Sequence, residues 1–531
     1  MLRLFGSQRG FTPTPLLAPF LLAGLLLAGC ASLPENFARE ESPKLDTSDT
    51  QLARAFNARA ADHPGQSGAY PLGQGMEALA ARVILARAAE KSLDVQYYIW
   101  HGDESGRLLL KELLDAADRG VRVRLLLDDL GVGAVNDDVF VLLDAHPNFS
   151  VSLFNPIASR DARAAGLLAD PKRLNRRMHN KSMTADNTVT VVGGRNIGDE
   201  YFALNELFNF ADMDVLAIGP VADAVTASFD AFWNSPAAFP IAAFHAEGAS
   251  PEQLAKAREK LNVQVADTGA KYYEAMQATP LSLELQSQEL EFHWGRITAL
   301  HDLPDKVQDE RESEVLLSQL GGLLGQVQED LLIISPYFVP GKDGTRALVA
   351  AARRGVRVRV VTNSLASTDV GAVHAGYKSS RRELLEGGVE LFEMMPRLDA
   401  DAVKSSGFSF SGSSGASLHA KMFVFDRQRV FIGSMNLDPR SVQINTEIGL
   451  LIDSPELAAR LHGQLLGSIE SACYAVVLEP RDAGKPAGRK ELTWIEDRDG
   501  EKVRYDKEPQ TTFWQRFGVG FIGLFPVDSQ L

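Results

Sequence analysis

The chain has 531 residues, of which 45% are hydrophobic and 23% are charged. This is long enough for several domains and typical of a folded globular protein rather than a disordered or fibrous one. A formal net charge of -15 excludes a general nucleic-acid coat protein, which needs a basic surface, and two cysteines exclude a disulfide framework.

The first thirty residues have the plan of a bacterial signal peptide. Arg3 and Arg9 precede the apolar run PLLAPFLLAGLLLAG, and the quartet LAGC, which ends at Cys30, resembles a lipobox whose cysteine is lipidated. An uncleaved transmembrane anchor is the alternative, and either would hold the N-terminus at a membrane. We expect a signal peptide over residues 1–29 and a tether over 30–72. Ala31 favours the outer membrane of a bacterial envelope, with the folded domains facing the periplasm.

The elements after the tether occur twice. Residues 105–131 predict an amphipathic helix, a glycine stop and an apolar strand, and residues 344–366 predict the same series. The sequence GVRVR occurs in both copies, and apolar strands are predicted on either side of each copy. Corresponding elements stay about 235 to 240 residues apart, which indicates an internal repeat.

The alternation of strands and helices predicts an α/β fold with two similar domains, each built on a mostly parallel sheet. We place these domains at residues 73–245 and 310–480. Residues 246–309 lack a counterpart and predict a connecting, mainly helical insertion. Within the second domain, the composition of residues 404–417 predicts a flexible loop that could gate a site.

Residues 481–531 are predicted to form a C-terminal extension with an aromatic stripe. Phenylalanines recur every four positions there, which on a helix would place them on one face. Such a face packs either against a core or on a membrane surface. The stripe consists of Phe513, Phe517, Phe521 and Phe525, with Trp514 and Leu524 beside it.

The strongest chemical signal is a motif that is present once in each repeat. It has the form H-x-K-x4-D followed by G-[GS]-x-N, with identical offsets in both copies. Residues two apart on a strand share a face, so the histidine and lysine of each copy should enter one pocket. A lysine buried beside apolar strands requires an anion to neutralise it. The two copies are His179, Lys181, Asp186 and Asn196, and His419, Lys421, Asp426, Ser434 and Asn436.

The doubled motif resembles that of the phospholipase D superfamily, and the resemblance covers essentially the whole chain after the signal peptide. More narrowly, SLDVQYYIW, GVRVRLLLDD, the segment around the first motif, GASLHAKMFVFD and the C-terminal FWQRF are similar to the cardiolipin synthase C branch. The resemblance implies two phospholipase D-type α/β sandwich domains related by pseudo-twofold symmetry, with the active site at their interface. It implies no metal and no other cofactor, because the paired lysines supply the positive charge.

The resemblance also implies roles for the motif residues. Lys181 and Lys421 would neutralise a phosphodiester, and Asn196 and Asn436 would donate further hydrogen bonds. His179 would attack phosphorus to form a phosphohistidine. His419 would protonate the leaving alkoxide and later act as base. Asp186 and Asp426 would orient the histidines.

Further substrate contacts are expected around the two motifs. Arg177 belongs to a basic run that would recognise lipid phosphate, although such runs are often solvated faces. The run consists of Lys172, Arg173, Arg176, Arg177 and Lys181. Ser434 would supply a hydrogen bond that Gly194, at the same place in the first copy, cannot. Glu447 would either support the opposite histidine or bind a headgroup. Earlier in the second repeat, His374 and Tyr377 would either contact the headgroup or pack their helix.

These observations favour a membrane-tethered phosphatidyltransferase. We expect it to make cardiolipin from phosphatidylglycerol plus either phosphatidylglycerol or phosphatidylethanolamine. A phospholipase D that releases phosphatidic acid is the alternative. A nuclease is disfavoured by the acidic charge, so no nucleic-acid partner is expected. A non-catalytic lipid-binding protein is disfavoured because both motifs are intact. The sequence makes no prediction of the oligomeric state.

Overall fold

The computed structural model describes residues 32–35, 37, 42–132, 137–205, 209–245, 247–308, 315–396, 416–480, 490–498 and 500–522. The predicted signal peptide, Cys30, Phe525 and nearly all of the predicted loop at 404–417 lie outside the described residues. Within the described residues, no helix is long and apolar enough to span a bilayer.

The strands of the first half form one sheet in the order β9-β4-β3-β2-β5-β6-β8-β1. Strands β2, β3 and β4 are parallel and the other pairs are antiparallel. The short strand β7 lies outside this sheet. The strands are β1 (Ser67–Leu72), β2 (Ser92–Tyr97), β3 (Arg122–Asp128), β4 (Phe149–Phe154), β5 (Ser182–Ala185), β6 (Val189–Gly193), β7 (Asn209–Ala211), β8 (Asp214–Ile218) and β9 (Ala238–Pro240).

The second half repeats this arrangement in the order β20-β19-β18-β13-β12-β11-β15-β16-β17-β10, again with three parallel strands, β11 to β13, beside an antiparallel hairpin. The prediction of two similar α/β domains is therefore confirmed. The strands are β10 (His293–His301), β11 (Asp330–Ile334), β12 (Arg357–Asn363), β13 (Glu390–Met394), β14 (Ala416–Leu418), β15 (Lys421–Phe425), β16 (Arg429–Gly433), β17 (Ile448–Asp453), β18 (Cys473–Pro480), β19 (Lys490–Arg498) and β20 (Glu501–Tyr505).

Helices cover the faces of the sheets. They are α1 (Gln51–Ala60), α2 (Gly75–Ala88), α3 (Glu104–Asp118), α4 (Asp137–Asp144), α5 (Arg163–Ala169), α6 (Pro171–Leu174), α7 (Pro220–Trp233), α8 (Pro251–Gln277), α9 (Pro280–Ser287), α10 (Val315–Gln326), α11 (Gly341–Arg353), α12 (Gly371–Glu386), α13 (Pro439–Gln443), α14 (Pro455–Ala472) and α15 (Phe513–Ile522). The predicted stops after α3 and α11 are correct, because Gly120 and Gly355 turn the chain into the next strand with φ of +92° and +99°.

The two halves share a core. Strands β1 and β10 pair antiparallel from Ser67 opposite Gly295 to Ala69 opposite His293, which joins the two sheets edge to edge. Strand β7 of the first half also pairs with β14 of the second. One buried apolar cluster includes Val192 and Met213 of the first half together with Met422 of the second. The interface between the halves is therefore part of the hydrophobic core.

Three segments differ from the predicted boundaries. Helix α1 and strand β1 fall in the predicted tether, yet Leu52 and Phe56 pack on the first core and β1 is hydrogen-bonded on both sides. The predicted insertion is helical over α8 and α9, but it ends in β10, a strand of the second sheet. The predicted extension begins by adding β19 and β20 to that sheet. The sequences of these strands alternate only weakly between apolar and polar residues. The strands can therefore be recognised only from the strands they pair with.

Candidate active site

The backbone holds each motif histidine against the opposite half of the molecule. The amide of His179 donates to the carbonyl of Thr446 at 2.9 Å, and the amides of His419 and Ala420 donate to the carbonyl of Ala211 at 2.8 and 3.0 Å. Both imidazoles are buried. The prediction that the two motifs meet at the interface of the domains is thus confirmed.

Each imidazole also contacts a carboxylate from the opposite half. Nδ1 of His179 lies 2.9 Å from Oε2 of Glu447, and Nδ1 of His419 lies 2.6 Å from Oδ2 of Asp212. Glu447 therefore takes the first of its two expected positions, beside the opposite histidine. A ring whose Nδ1–H is donated to a carboxylate presents the lone pair of Nε2 for reaction.

Sequence reasoning missed Asp212, although the repeat contains a signal for it. Strand pairing matches Gly193 with Asp214 and Gly433 with Gly449, so Asp212 and Glu447 occupy equivalent positions two residues earlier. Asp212 follows Gly193 by 19 residues, whereas Glu447 follows Gly433 by 14. Because the connection is longer in the first half, a motif with fixed spacing does not match Asp212 to Glu447.

The glycine pair of the first motif makes room for Asp212. A Cβ on Gly194 would come within 2.2 Å of Oδ1 of Asp212, so a serine does not fit there. In the second motif, Ser434 donates its hydroxyl to Glu447 and accepts from the amide of Ile448 at 3.0 Å. Ser434 therefore positions the carboxylate, and the expected hydrogen bond from its hydroxyl to substrate is replaced by this contact.

Each motif lysine contacts the histidine of its own motif. Nζ of Lys181 donates to the carbonyl of His179 at 2.7 Å and lies 5.6 Å from the centre of the Tyr98 ring. Nζ of Lys421 donates to the carbonyl of His419 and lies 3.0 Å from Nδ1 of that imidazole. Burial lowers the pKa of Lys181 to about 7 and that of Lys421 to about 8, although nearby carboxylates oppose the shift. An anion between these lysines would restore their charge.

The histidines also have lowered pKa values. Burial is the largest cause for both, and neighbouring lysines add to it. The pKa of His179 lies well below its usual value, while Asp212 partly offsets the lowering at His419. Burial raises the pKa of Glu447 to about 7. Burial acts in the same direction on Asp212, but His419 and Lys421 outweigh it and hold the pKa of that carboxyl below its usual range. The two imidazoles therefore have unequal surroundings.

Asp186 and Asp426 do not orient the histidines as expected. Asp186 accepts from the amides of residues 90–92 at 2.8 to 3.0 Å, and Asp426 accepts from those of residues 328–330 at 2.8 to 3.0 Å. Each aspartate sits at the tip of its hairpin, five residues beyond the motif lysine. At ~3.3 Å per residue, this places it about 17 Å along the strand from that lysine.

The structure corrects the expected substrate contact of Arg177, and it gives His374 and Tyr377 the second of their two expected roles, helix packing. Arg177 is fully buried and donates to Asp128 at 2.7 and 2.9 Å. His374 lies 2.9 Å from Glu508, and the Tyr377 ring packs on Phe338, so both pack helix α12. The polar groups of Arg177 and His374 thus have carboxylate partners inside the protein, a pairing that a linear pattern of polar residues does not reveal.

The two motif asparagines differ in their contacts. The side chain of Asn196 accepts from the backbone amide of Ile99 at 3.2 Å and donates to the hydroxyl of Tyr201 at 3.0 Å. These contacts connect the strands and turns around the site. Oδ1 of Asn436 is buried and has no hydrogen-bond partner among the residues that the structure describes. Their expected donation to substrate stays a prediction.

Aromatic rings that the sequence did not single out surround the histidines. The Tyr98 ring lies 5.1 Å from the His179 ring, and the rings of Tyr201 and Phe210 lie 5.2 and 4.8 Å from the His419 ring. These rings displace water and strengthen the electrostatic interactions of the buried lysines.

One group in the described residues has the composition of a cation site outside the two motifs. Ligand atoms of His101, Asp103 and Glu200 lie within 4.8 Å of one another, and Nδ1 of His101 is 3.2 Å from Glu200. The histidine is exposed, and Asp103 already accepts from the amides of Gly106 and Asp199 at 3.1 and 2.8 Å. We assign no role in the chemistry to this group.

Comparison with known proteins gives the family. The family model described as cardiolipin synthase, phospholipase D-like domain, matches residues 83–233 and 321–466. Cardiolipin synthase C of Escherichia coli (strain K12) is 42% identical over 482 residues, which cover 90% of this chain and 99% of that protein. An uncharacterized protein of Helicobacter pylori (strain ATCC 700392 / 26695) is 31% identical over 92% of this chain and 94% of its own length.

A solved structure shows the same fold. The crystal structure of phosphatidylserine synthase from Haemophilus influenzae Rd KW20 covers 80% of this chain and 92% of its own, with a TM-score of 0.54 and 16% identity. The doubled motif, the repeated sheet and these similarities agree. The chain belongs to the cardiolipin synthase family of phospholipase D-like proteins.

Proposed function

We propose that the protein is a phosphatidyltransferase that makes cardiolipin through a phosphatidyl-histidine intermediate. The observation that carries the proposal is a pair of buried imidazoles, each held by a carboxylate of the opposite half, above two buried lysines. Displacement at a phosphodiester needs this set: a nucleophile, an acid for the leaving alkoxide and positive charge for the phosphoryl oxygens.

In the first step the phosphodiester of a donor lipid binds between Lys181 and Lys421. Nε2 of His179 attacks phosphorus and forms the P–N bond, while the P–O bond to the headgroup breaks. His419 gives its proton to the departing oxygen, which leaves as glycerol or ethanolamine. The strongly lowered pKa of His179 keeps it unprotonated, as a nucleophile requires, and Asp212 supports the charged form of His419.

In the second step a hydroxyl of phosphatidylglycerol takes the place of the departed headgroup. Neutral His419 removes the proton of this hydroxyl as its oxygen attacks phosphorus. The P–N bond breaks, His179 is regenerated and the product is cardiolipin. If water enters instead, the same two steps release phosphatidic acid.

The aromatic surroundings support a lipid rather than a nucleic acid as substrate. Tyr98, Tyr201 and Phe210 give the histidines an apolar border, and the formal charge of -15 opposes a polyanion. The similarity to Cardiolipin synthase C over nearly the whole chain supports transfer to a lipid alcohol.

Product analysis tests the proposal. Purified protein is incubated with labelled phosphatidylglycerol, with and without phosphatidylethanolamine. The lipid products are then separated and identified by mass spectrometry. We expect labelled cardiolipin, and His179→Gln protein should form none. Release of phosphatidic acid without cardiolipin would replace the synthase with a phospholipase D and leave the two-histidine chemistry in place.

We further propose that lipid on Cys30 tethers the enzyme to the outer membrane of a bacterial envelope, with the domains in the periplasm. The basic start, the apolar run and the quartet LAGC support this proposal. Labelled palmitate should enter the wild-type chain in cells, whereas equal labelling of Cys30→Ser protein would reject the tether.

A further inference from the structure

Helix α15 exposes an aromatic face. The exposed fractions of Phe513, Trp514, Phe517 and Phe521 are 63, 74, 56 and 52%, whereas Val519 on the other side of the helix is 6% exposed. Ring centres of Phe513 and Trp514 lie 6.1 and 6.0 Å from that of Phe517, so the rings form one patch. Soluble proteins rarely display such a patch without a binding partner.

The helix is fixed to the second domain by its opposite face. Val519 and Ile522 pack with Leu365 and Ala375, the latter on helix α12. Just before α15, the buried Glu508 lies 2.9 Å from His374 and 3.2 Å from Arg381, both on α12. These contacts hold the aromatic face in one orientation, so it is a part of the folded domain.

The attachment of α15 is close to the active site. Val519 lies beside Gly371, the first residue of α12, where an added Cβ would be 3.6 Å from Val519 Cγ2. Two residues earlier, Asp369 accepts a hydrogen bond from the hydroxyl of Tyr337 at 2.7 Å, and its charge raises the pKa of Lys421 against the larger effect of burial. The same connection starts after Asn363, whose amide donates to the carbonyl of Leu418, the neighbour of His419. The loop between β12 and α12 therefore links the aromatic patch to the catalytic residues.

We infer that the aromatic face of α15 inserts into the surface of a phospholipid bilayer and thereby holds the active site against the lipid headgroups. The inference rests on the proposed function, since only a lipid substrate requires the site to meet a bilayer. Tryptophan and phenylalanine are the side chains that settle at the headgroup boundary. A chain with a net charge of -15 is repelled by anionic lipids, so apolar insertion supplies attraction that the overall charge does not.

Fluorescence quenching tests the position of Trp514. The full-length protein is bound to vesicles of phosphatidylglycerol and phosphatidylethanolamine with brominated acyl chains. The matched variant is Trp514→Phe, which keeps the apolar face and leaves the other four tryptophans. We expect bromine to quench a component of the wild-type emission that the variant lacks. Equal fractional quenching of the two proteins would overturn the inference.

A second measurement separates this inference from the proposed function. Loss of two inserted rings in Phe513→Ser/Phe517→Ser protein should lower turnover of vesicle lipid about tenfold. Turnover of dispersed short-chain phosphatidylglycerol should not change. The control is Val263→Ser/Leu283→Ser, which removes two exposed apolar side chains of helices α8 and α9 and should match the wild type in both assays.

The outcomes are distinct. Absence of turnover on either lipid by the wild type, with Trp514 still quenched, would sink the proposed function and leave the membrane contact. Equal turnover of vesicle lipid by both double variants would sink the membrane contact and leave the function. A fall in the mass of the particle in solution, seen only in the Phe513→Ser/Phe517→Ser protein, would assign the patch to a contact between two copies and overturn the inference.

Discussion

Asp212 and Glu447 occupy equivalent positions but affect their histidines differently. Asp212 has a pKa below its usual range despite burial, so it stays ionised and favours a charged His419. The pKa of Glu447 is raised to about 7, so this carboxyl carries less negative charge at neutral pH. A neutral ring suits a nucleophile and a protonated ring suits an acid. The surroundings therefore favour attack by His179 and protonation by His419.

Trapping the intermediate checks this division of roles. A phosphatidyl ester of 4-nitrophenol has a leaving group that needs no acid, so His419→Ala protein should still complete the first step. It lacks the base for the second step, and the phosphatidyl group should accumulate on His179. Peptide mass spectrometry locates the adduct. An adduct on His419 in His179→Ala protein would reverse the assignment.

The pH dependence should differ between the free and the lipid-bound enzyme. In the free site, burial and Lys421 lower the pKa of His419, so its acidic form is lost as pH rises through a value below the usual 6.5. A bound phosphodiester anion offsets the lysines and raises that pKa. The alkaline limb of kcat/KM should therefore lie at lower pH than the limb of kcat.

The Asp212→Asn variant tests whether His419 is the group whose titration produces the alkaline limbs of kcat and kcat/KM. It removes the charge that supports protonated His419, so both limbs should move to lower pH. A partner of this kind is worth about 10- to 100-fold in activity, which leaves enough turnover to measure. If the pH values of both alkaline limbs are unchanged in this variant, a group other than His419 is responsible for them.

At the scale of elements, the hairpins β5–β6 and β15–β16 explain why each motif carries an aspartate. Asp186 and Asp426 have φ of +47° and +51° at the hairpin turns, and each carboxylate holds the amides that lead into β2 or β11. The aspartate therefore aligns the hairpin that follows the histidine with the neighbouring strand, β2 or β11. Its effect on catalysis is indirect.

Substitution of Asp186 should accordingly affect stability more than chemistry. Asp186→Ala leaves buried amides without an acceptor and places alanine at positive φ, which should cost about 3 kcal/mol of unfolding free energy. Asp186→Asn keeps an acceptor and tolerates this φ, so it should cost about 1 kcal/mol. Urea unfolding measures both values.

The turnover of the folded variants completes the test. At low temperature both should keep kcat within about threefold of the wild type, because distant sites couple weakly. A loss of several orders of magnitude in fully folded Asp186→Asn protein would show that the aspartate takes part in the reaction.

The sequence predicted the elements whose pattern is local. Helices α3 and α11 and their glycine stops follow from periodicity and repetition. Strands β1 and β10 were missed because their identity depends on pairing with each other across the molecule. Asp212 was missed for a related reason, since it approaches His419 from the other half after a connection of different length. Arg177 was misassigned because its buried partner, Asp128, is distant in sequence.

At the scale of the whole molecule, the pseudo-twofold arrangement makes the halves interdependent. Each half supplies one histidine and the carboxylate for the other histidine. The apolar core shared by the halves and the pairing of β1 with β10 fix this exchange. A duplicated domain thus provides two buried histidines from one motif, each beside a different carboxyl group.

The charge of the whole molecule bears on how it reaches a membrane. The basic run before the first motif looked suited to lipid phosphate, but its cations contact protein groups: Arg173 donates to Asp170 at 2.7 Å and Arg176 to the carbonyl of Lys306 at 2.9 Å. Arg177 is buried with Asp128. Attraction of this run to anionic lipid is therefore reduced, while the net charge of -15 adds repulsion at long range.

Added salt should consequently leave vesicle binding intact. Raising NaCl from about 20 to about 200 mM shortens the range of charge interactions to less than about 10 Å, which weakens long-range repulsion and does not weaken apolar insertion. The apparent KM for phosphatidylglycerol vesicles should fall or change by less than about threefold, as vesicle turnover measured across the salt series would show. A protein held by basic residues behaves in the opposite way, because each contact with a lipid charge is screened. A tenfold rise in KM over this range, lost in Arg173→Gln/Arg176→Gln protein, would assign membrane attachment to the basic run in place of the aromatic face.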